Sequence, residues 1–134
     1  MNKIIIAGPR DFYDKDYVYK ELDNIFYLIQ QNINKEKIEI VQGAANGVDA
    51  LAKQYARNHD MPCKEFKADW KQHGKAAGPI RNKEMAEYSN MLIAFQPGLP
   101  TKGTQNMIKT AKKYGLTCFT VIKEGNITKI ICEK

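Results

Sequence analysis

Three kinds of residue in this chain suit it to hold an anion: glycines that leave backbone N–H groups bare, arginines with planar charged forks, and threonines that cap helices. They gather in four short stretches, Gly8-Pro9-Arg10-Asp11, Gly43-Ala44-Ala45-Asn46-Gly47-Val48-Asp49, Ala76-Ala77-Gly78-Pro79-Ile80-Arg81-Asn82-Lys83 and Pro97 to Thr104. In the third, Pro79 suits the first helical position, where a missing N–H costs nothing, and Gly78 lets the backbone approach whatever docks there. Arg81 follows one turn later and would aim its charge at the positive end of that helix, a corner that asks for an anion. In the second, the small residues leave amides accessible just before a helix. That makes a cradle for phosphate or ribose, and a tight packing turn would call for the same residues. Asp49, just inside that helix, could accept from a ribose hydroxyl or merely favour its own helix start.

These stretches need elements to position them. Lys3 to Ala7 is a short apolar run of the kind found in a parallel strand covered on both faces. Val18, Leu22, Ile25 and Ile29 make one stripe on a helix from about Asp14 to Gln31, and Ile38 to Val41 reads as a second strand. Val48, Leu51, Ala52 and Tyr55 give the face of the next helix. Pro62 to Ala68 is expected as a third strand with Cys63 and Phe66 inward, and polar Lys71 to Ala77 as a flap over a site. A helix from Pro79 to about Tyr88 leads to a fourth strand, Met91 to Phe95. Thr101 or Thr104 can cap the helix holding Met107, Ile108 and Ala111, which Gly115 ends. Cys118 to Ile122 is the fifth strand. Ile127 to Cys132, set off by Glu124-Gly125-Asn126, is expected to pair antiparallel at the C-terminal edge. The alternation predicts a single α/β domain over 1–134, in three layers, with a mostly parallel sheet and helices on both faces. In such sheets ligands sit beyond the carboxyl ends of the strands, where all four special turns fall.

The chain has 134 residues and a net charge of +6, which favours an anionic partner without separating a nucleotide from a polymer. Lys64, Lys67, Lys71, Lys75, Arg81 and Lys83 are interleaved with Glu65 and Asp69, and no aromatic ladder accompanies them. Trp70, the only tryptophan, is expected to pack in the core or at an edge, with base stacking second, and His73 to be a solvated loop residue. Cys63, Cys118 and Cys132 lack metal-ligand spacing and are expected as reduced core residues, with no metal and no cofactor. No apolar run is long enough to span a membrane and no leader is seen, so the expected location is cytoplasmic, away from a membrane.

Gly8-Pro9-Arg10-Asp11-Phe12, Gly43 to Asp49, Ala68-Asp69-Trp70, Gly74 to Asn82 and Gly103-Thr104 together resemble the SLOG superfamily over roughly the first 120 residues. These are Rossmann-like nucleotide-binding domains that include DprA and the LOG phosphoribohydrolases, and the chain resembles the YspA-like branch most. The resemblance implies a nucleotide-derived ligand. It places Gly8 and Arg10 in the first turn, and matches Gly43, Gly47 and Asp49 to a glycine-glycine-x-x-glycine-x-aspartate pattern in which Ala44 replaces the second glycine. It matches Arg81 to the arginine that LOG enzymes place before their fourth strand. Gly98, Gly103 and Thr104 match a phosphate loop, with Leu99 replacing its second glycine and Thr101 and Lys102 standing where that loop has one residue. LOG enzymes follow this loop with a catalytic glutamate; here Gln105-Asn106-Met107 follow.

The expected function is therefore binding of a phosphorylated, ADP-ribose-like molecule, as a sensor, carrier or phage-type sponge, with a homo-oligomer left open. Gly8, Gly43, Gly47, Gly103 and Thr104 would supply backbone or hydroxyl contacts, and Arg10, Lys75 and Arg81 charge. Asp11, Ala44, Asn46, Asp49, Gly78, Asn82, Gly98 and Thr101 complete the candidate set. One alternative is a nucleotide N-glycosidase in which Glu84, Asp49 or Asp11 supplies the missing carboxylate, Glu84 standing close to Arg81 on one helix. The other is DprA-like single-stranded DNA binding through the basic residues of 64–83 and 102–113, with Trp70 and Tyr114 stacking.

Overall fold

The apolar run after the N-terminus becomes β1 (Asn2–Ala7), the strand from which the sheet grows in both directions. β2 (Ile38–Gln42) pairs with it on one side and β4 (Met91–Gln96) on the other, both parallel. β3 (Cys63–Glu65) extends the β2 side, and β5 (Thr117–Glu124) and β6 (Ile127–Glu133) the β4 side, giving the order β3-β2-β1-β4-β5-β6. Among the described residues only β5 and β6 pair antiparallel, across a turn in which Gly125 takes a φ of 61°. The computed structural model describes residues 1–30 and 37–134.

Strand alternation decides where each helix lies. Ile4 and Ile6 of β1 enter a core with Leu22 and Ile25 of α1 (Lys15–Ile29) and Leu51 and Tyr55 of α2 (Val48–Asn58). Ile5 and Ala7, on the opposite face, meet Met85 of α4 (Ala77–Tyr88) and Met107 of α5 (Lys102–Lys113). The result is the expected α/β three-layer, Rossmann-like sandwich with helices on both faces. Among the described residues no helix is long and apolar enough to cross a membrane.

The helix starts follow local chemistry. Asp14 Oδ1 accepts from Tyr17 N (3.1 Å) at α1, and of the two threonines it is Thr101 that caps α5, its hydroxyl accepting from Thr104 N (3.4 Å). Gly115, at a φ of 78°, ends α5 as expected. The Gln31 end proposed for α1 lies outside the described residues.

Three expectations need correction. The third strand is three residues long instead of seven, since its ladder with β2 ends where β2 itself ends, at Gln42 opposite Glu65. The polar stretch after it is not a flap. Asp69 caps a short helix, α3 (Trp70–His73), by accepting from Gln72 N (3.1 Å), and a 3-10 turn over Gly74–Ala76 runs directly into α4. α4 thus begins two residues before Pro79, still within the first turn whose N–H groups lack intrahelical partners. Finally, only Cys118 is buried; Cys63 and Cys132 are exposed because they sit on the two edge strands.

Candidate functional site

The sheet order reverses between β1 and β4, and the segments leaving their carboxyl ends part there to open a crevice. Glycines let the neighbouring loops close around it. A Cβ on Gly8 would lie 2.7 Å from Val48 Cγ2, so the first turn can rest on the start of α2 only without a side chain. Gly47 takes a φ of 68°, and a Cβ there would run into the carbonyl of Pro9, while Val48 N donates to that same carbonyl at 3.2 Å. The first and second special turns are thereby stacked on each other.

The second turn is held from below by two buried side chains. Asp49 Oδ2 accepts from Gly43 N and Ala45 N, both at 3.2 Å. Gln42, 1% exposed, accepts from Ala44 N (2.6 Å) and donates to Glu65 Oε1 (3.0 Å), which holds Ala44 at a φ of 61° that only glycine adopts freely. Burial pushes the Asp49 carboxyl up to about 6, against the opposing pull of the Ala45 and Gly43 amides and of Arg81 and Arg10.

Arg81 reaches the same loop from α4. Its Nη1 donates to the Gly43 carbonyl and its Nε to Asn82 Oδ1 (3.0 Å), so it is clamped in place and does not point back at its own helix start. Asn82, buried, passes the link on to α5 by donating to Asn106 Oδ1 (2.9 Å) and to the Gly103 carbonyl (3.4 Å). Desolvation lowers the pKa of the Arg81 guanidinium; Asp49 opposes that shift and neighbouring Arg10 adds to it. Two guanidiniums converge here on one buried carboxylate, with Asp11 at the exposed rim, and their paired forks suit an anion.

The crevice has two compartments. The first, about 260 Å³, brings together Gly8, Arg10, Asp11, Asp49, Arg81 and Asn82 with Thr101, Gly103 and Thr104 at the start of α5. The second, about 340 Å³, lies beyond β2 and holds Gly43, Ala44 and Asn46 opposite Lys67, Ala68 and Trp70. Arg10, Ala45 and Arg81 line both and form the ridge between them.

Lys75, Gly78, Gly98 and Glu84 line neither compartment, and Gly47 works from behind through packing. Lys75, on the 3-10 turn, and Glu84, on α4, are exposed, and Gly98 is exposed with open space around it. Trp70 departs from expectation in the opposite sense. It is 53% exposed and walls the second compartment, because capping by Asp69 swings it out at the first residue of α3. Gln42 and Asn106 had no signal in the sequence: a glutamine ending a strand and an asparagine within a helix are read as solvated until their partners are known.

Comparison with known proteins agrees with the fold. The model of a family described as "YspA, cpYpsA-related SLOG family" matches residues 2–73. The Gene 61 protein of Mycobacterium phage D29 is 28% identical over 122 residues, covering 87% of this chain and 93% of the phage protein. The X-ray structure of TM1055, a Northeast Structural Genomics Consortium target, superposes with a TM-score of 0.62 at 19% identity over 88% of this chain and 72% of that one. At that identity the likeness is one of fold.

Proposed function

The chain belongs to the YspA, cpYpsA-related SLOG family, and from that premise we propose that it binds a phosphorylated, nucleotide-derived small molecule in the crevice beyond β1 and β4. The observation that carries this is the ridge where Arg10 and Arg81 meet beside the amino end of α5, three sources of positive potential around one opening. Thr101, Gly103 and Thr104 would bring hydroxyl and amide donors to a phosphate. Asp49 keeps Oδ1 without a hydrogen bond among the described residues, and that oxygen would accept from a ribose hydroxyl. As a binder the protein would act as a sensor, a carrier or a sponge, and a phage relative makes the sponge role concrete.

A thermal-shift panel of mono-, di-, cyclic and ADP-ribosyl nucleotides tests this. A compound that binds only the native state adds about 2.7 kcal/mol at a hundredfold excess over Kd, a plain rise in Tm. No rise with any of them would remove the proposal.

A second reading has one observation in its favour. Asp49 is a crevice carboxyl with a pKa near 6, the profile of a general acid or base, so N-glycosidic cleavage would fall to it and not to the exposed Glu84. Against it, Asp49 Oδ2 is committed to two loop amides, and the residues after Thr104 are occupied elsewhere: Gln105 donates to Gln96 and Asn106 accepts from Asn82.

A further inference from the structure

Trp70 leaves about half of a large aromatic ring in solvent at the wall of the second compartment. At 53% exposure, its edge rests above Gly78, where even an added methyl would only touch Cη2 at 3.5 Å. Asp69 holds this position by accepting from Gln72 N, and Lys67 stands beside the ring at the mouth of the second compartment. Opposite lies the Gly43–Asn46 loop, whose small side chains leave a slot between backbone and indole. A flat ring entering that slot would stack on Trp70 with its attached phosphate reaching Arg10 and Arg81.

Size settles how much of a molecule each compartment takes. At about 260 and 340 Å³, the first lies below and the second just inside the lower end of the range of about 300–1,000 Å³ typical of pockets for drug-sized ligands. Neither alone encloses a nucleotide carrying a second sugar, whereas the two share the ridge residues and together span one. Resting on the binding function proposed above, we infer that the ligand is two-ended. Its base stacks on Trp70 in the second compartment, a bridging pyrophosphate lies over Arg10 and Arg81, and a second sugar-bearing half sits between Asp49 and the start of α5. A dinucleotide or a nucleoside diphosphate sugar fits this description; a mononucleotide fills half of it.

Because Trp70 is the only tryptophan, intrinsic fluorescence reports on the second compartment alone. AMP, ADP-ribose and NAD⁺ are titrated against the wild-type chain, with Tm and fluorescence read together. The expected result is that ADP-ribose or NAD⁺ binds at least about tenfold tighter than AMP and changes the Trp70 emission. Trp70→Ala should cost about tenfold in affinity and Trp70→Phe should restore most of it, since stacking tolerates any aromatic face. If the two-ended compounds raise Tm but bind no tighter than AMP, or leave both the emission and the Trp70→Ala affinity unchanged, the two-ended assignment is overturned while nucleotide binding stands. If none of the three raises Tm, the assignment is overturned as well, and the wider nucleotide panel then decides the binding function by itself.

Discussion

The Arg81 guanidinium occupies the space that a side chain on residue 43 would fill: its Nη1 bonds the Gly43 carbonyl, and a Cβ on Gly43 would overlap that same nitrogen. The glycine of the second turn and the arginine of α4, 38 residues apart, are thus one device, in which the loop leaves room and the guanidinium closes it. Gly43→Ala should therefore act chiefly on the arginine. Its charged end can swing away, so the fold should lose only about 1 kcal/mol, the value of one hydrogen bond, while nucleotide affinity falls as far as in Arg81→Ala. Calorimetric titration of the two single variants and the double variant checks this; the double should be no worse than Arg81→Ala, because both remove the same contact.

Ala44 stands at a φ of 61° where the resemblance expects glycine. Relieving a left-handed non-glycine residue is worth about 1–2 kcal/mol, part of which is returned through the more flexible unfolded chain. Ala44→Gly should accordingly stabilise by about 0.5–1 kcal/mol in urea unfolding. Gln42→Leu should do the reverse by about 0.5–1.5 kcal/mol, since it removes the acceptor of the Ala44 amide and the donor to Glu65.

The layers of the fold were legible because their signals are local and periodic: the isoleucines of β1, the stripe of α1, the Thr101 cap and the Gly125 turn each need only a few neighbouring residues. Most of the candidate anion site was legible for a related reason, since bare amides and arginines at strand ends point to one edge of a parallel sheet. What stayed hidden depends on distant partners. Asn82 matters through Asn106, and Gln42 through Glu65 and Ala44. Cys63 and Cys132 carry an inward-looking pattern onto strands that no neighbour covers. Trp70 is expected in the core or packed at an edge, and its half-exposed place at the start of α3 rests on contacts that its neighbours in sequence do not display.

Asp49 makes stability depend on pH in a direction opposite to most carboxylates. Its folded pKa, about 6, lies above the ordinary 3.8, so the folded chain holds the proton more tightly. That contribution is fully present below pH 3.8 and is lost as pH rises through 6, a span of about 3 kcal/mol. Other groups titrate too, so the readout is the difference in unfolding free energy between the wild type and Asp49→Asn. It should shift toward the wild type as pH falls from 7 to 4. Nucleotide affinity should move the other way, weakening below pH 6, because a ribose hydroxyl needs the ionised oxygen as acceptor.

Single-stranded DNA should bind only through charge. Lys64 is drawn over the rings of Phe66 and Tyr88 and Lys112 is paired with Glu133, so two of the basic residues available to a polymer are engaged within the chain. Affinity for an oligonucleotide should be weak and fall steeply between 50 and about 200 mM salt, as counterion release requires. Binding that survives at the higher salt and is weakened by Trp70→Ala would favour the DNA-binding alternative.

Binder and enzyme separate on Asp49. A glycosidase needs a carboxyl that can shift its proton or meet the ribosyl carbon, and Asp49 is the buried candidate in the crevice, while exposed Glu84 lines neither compartment. In a binder, Asp49 keeps the Gly43 and Ala45 amides in place and receives a hydroxyl, so Asp49→Asn should weaken affinity by about 1–3 kcal/mol without any loss of turnover, there being none to lose. Glu84→Gln should leave binding untouched. Free-base release from AMP and NAD⁺, followed by chromatography at saturating ligand, is the deciding measurement. Release by wild type that Asp49→Asn abolishes at equal occupancy would establish the enzyme. The expected outcome is no release from either protein. One Asp49 oxygen is already shared between two loop amides, and glutamine and asparagine follow Thr104, both engaged with other side chains.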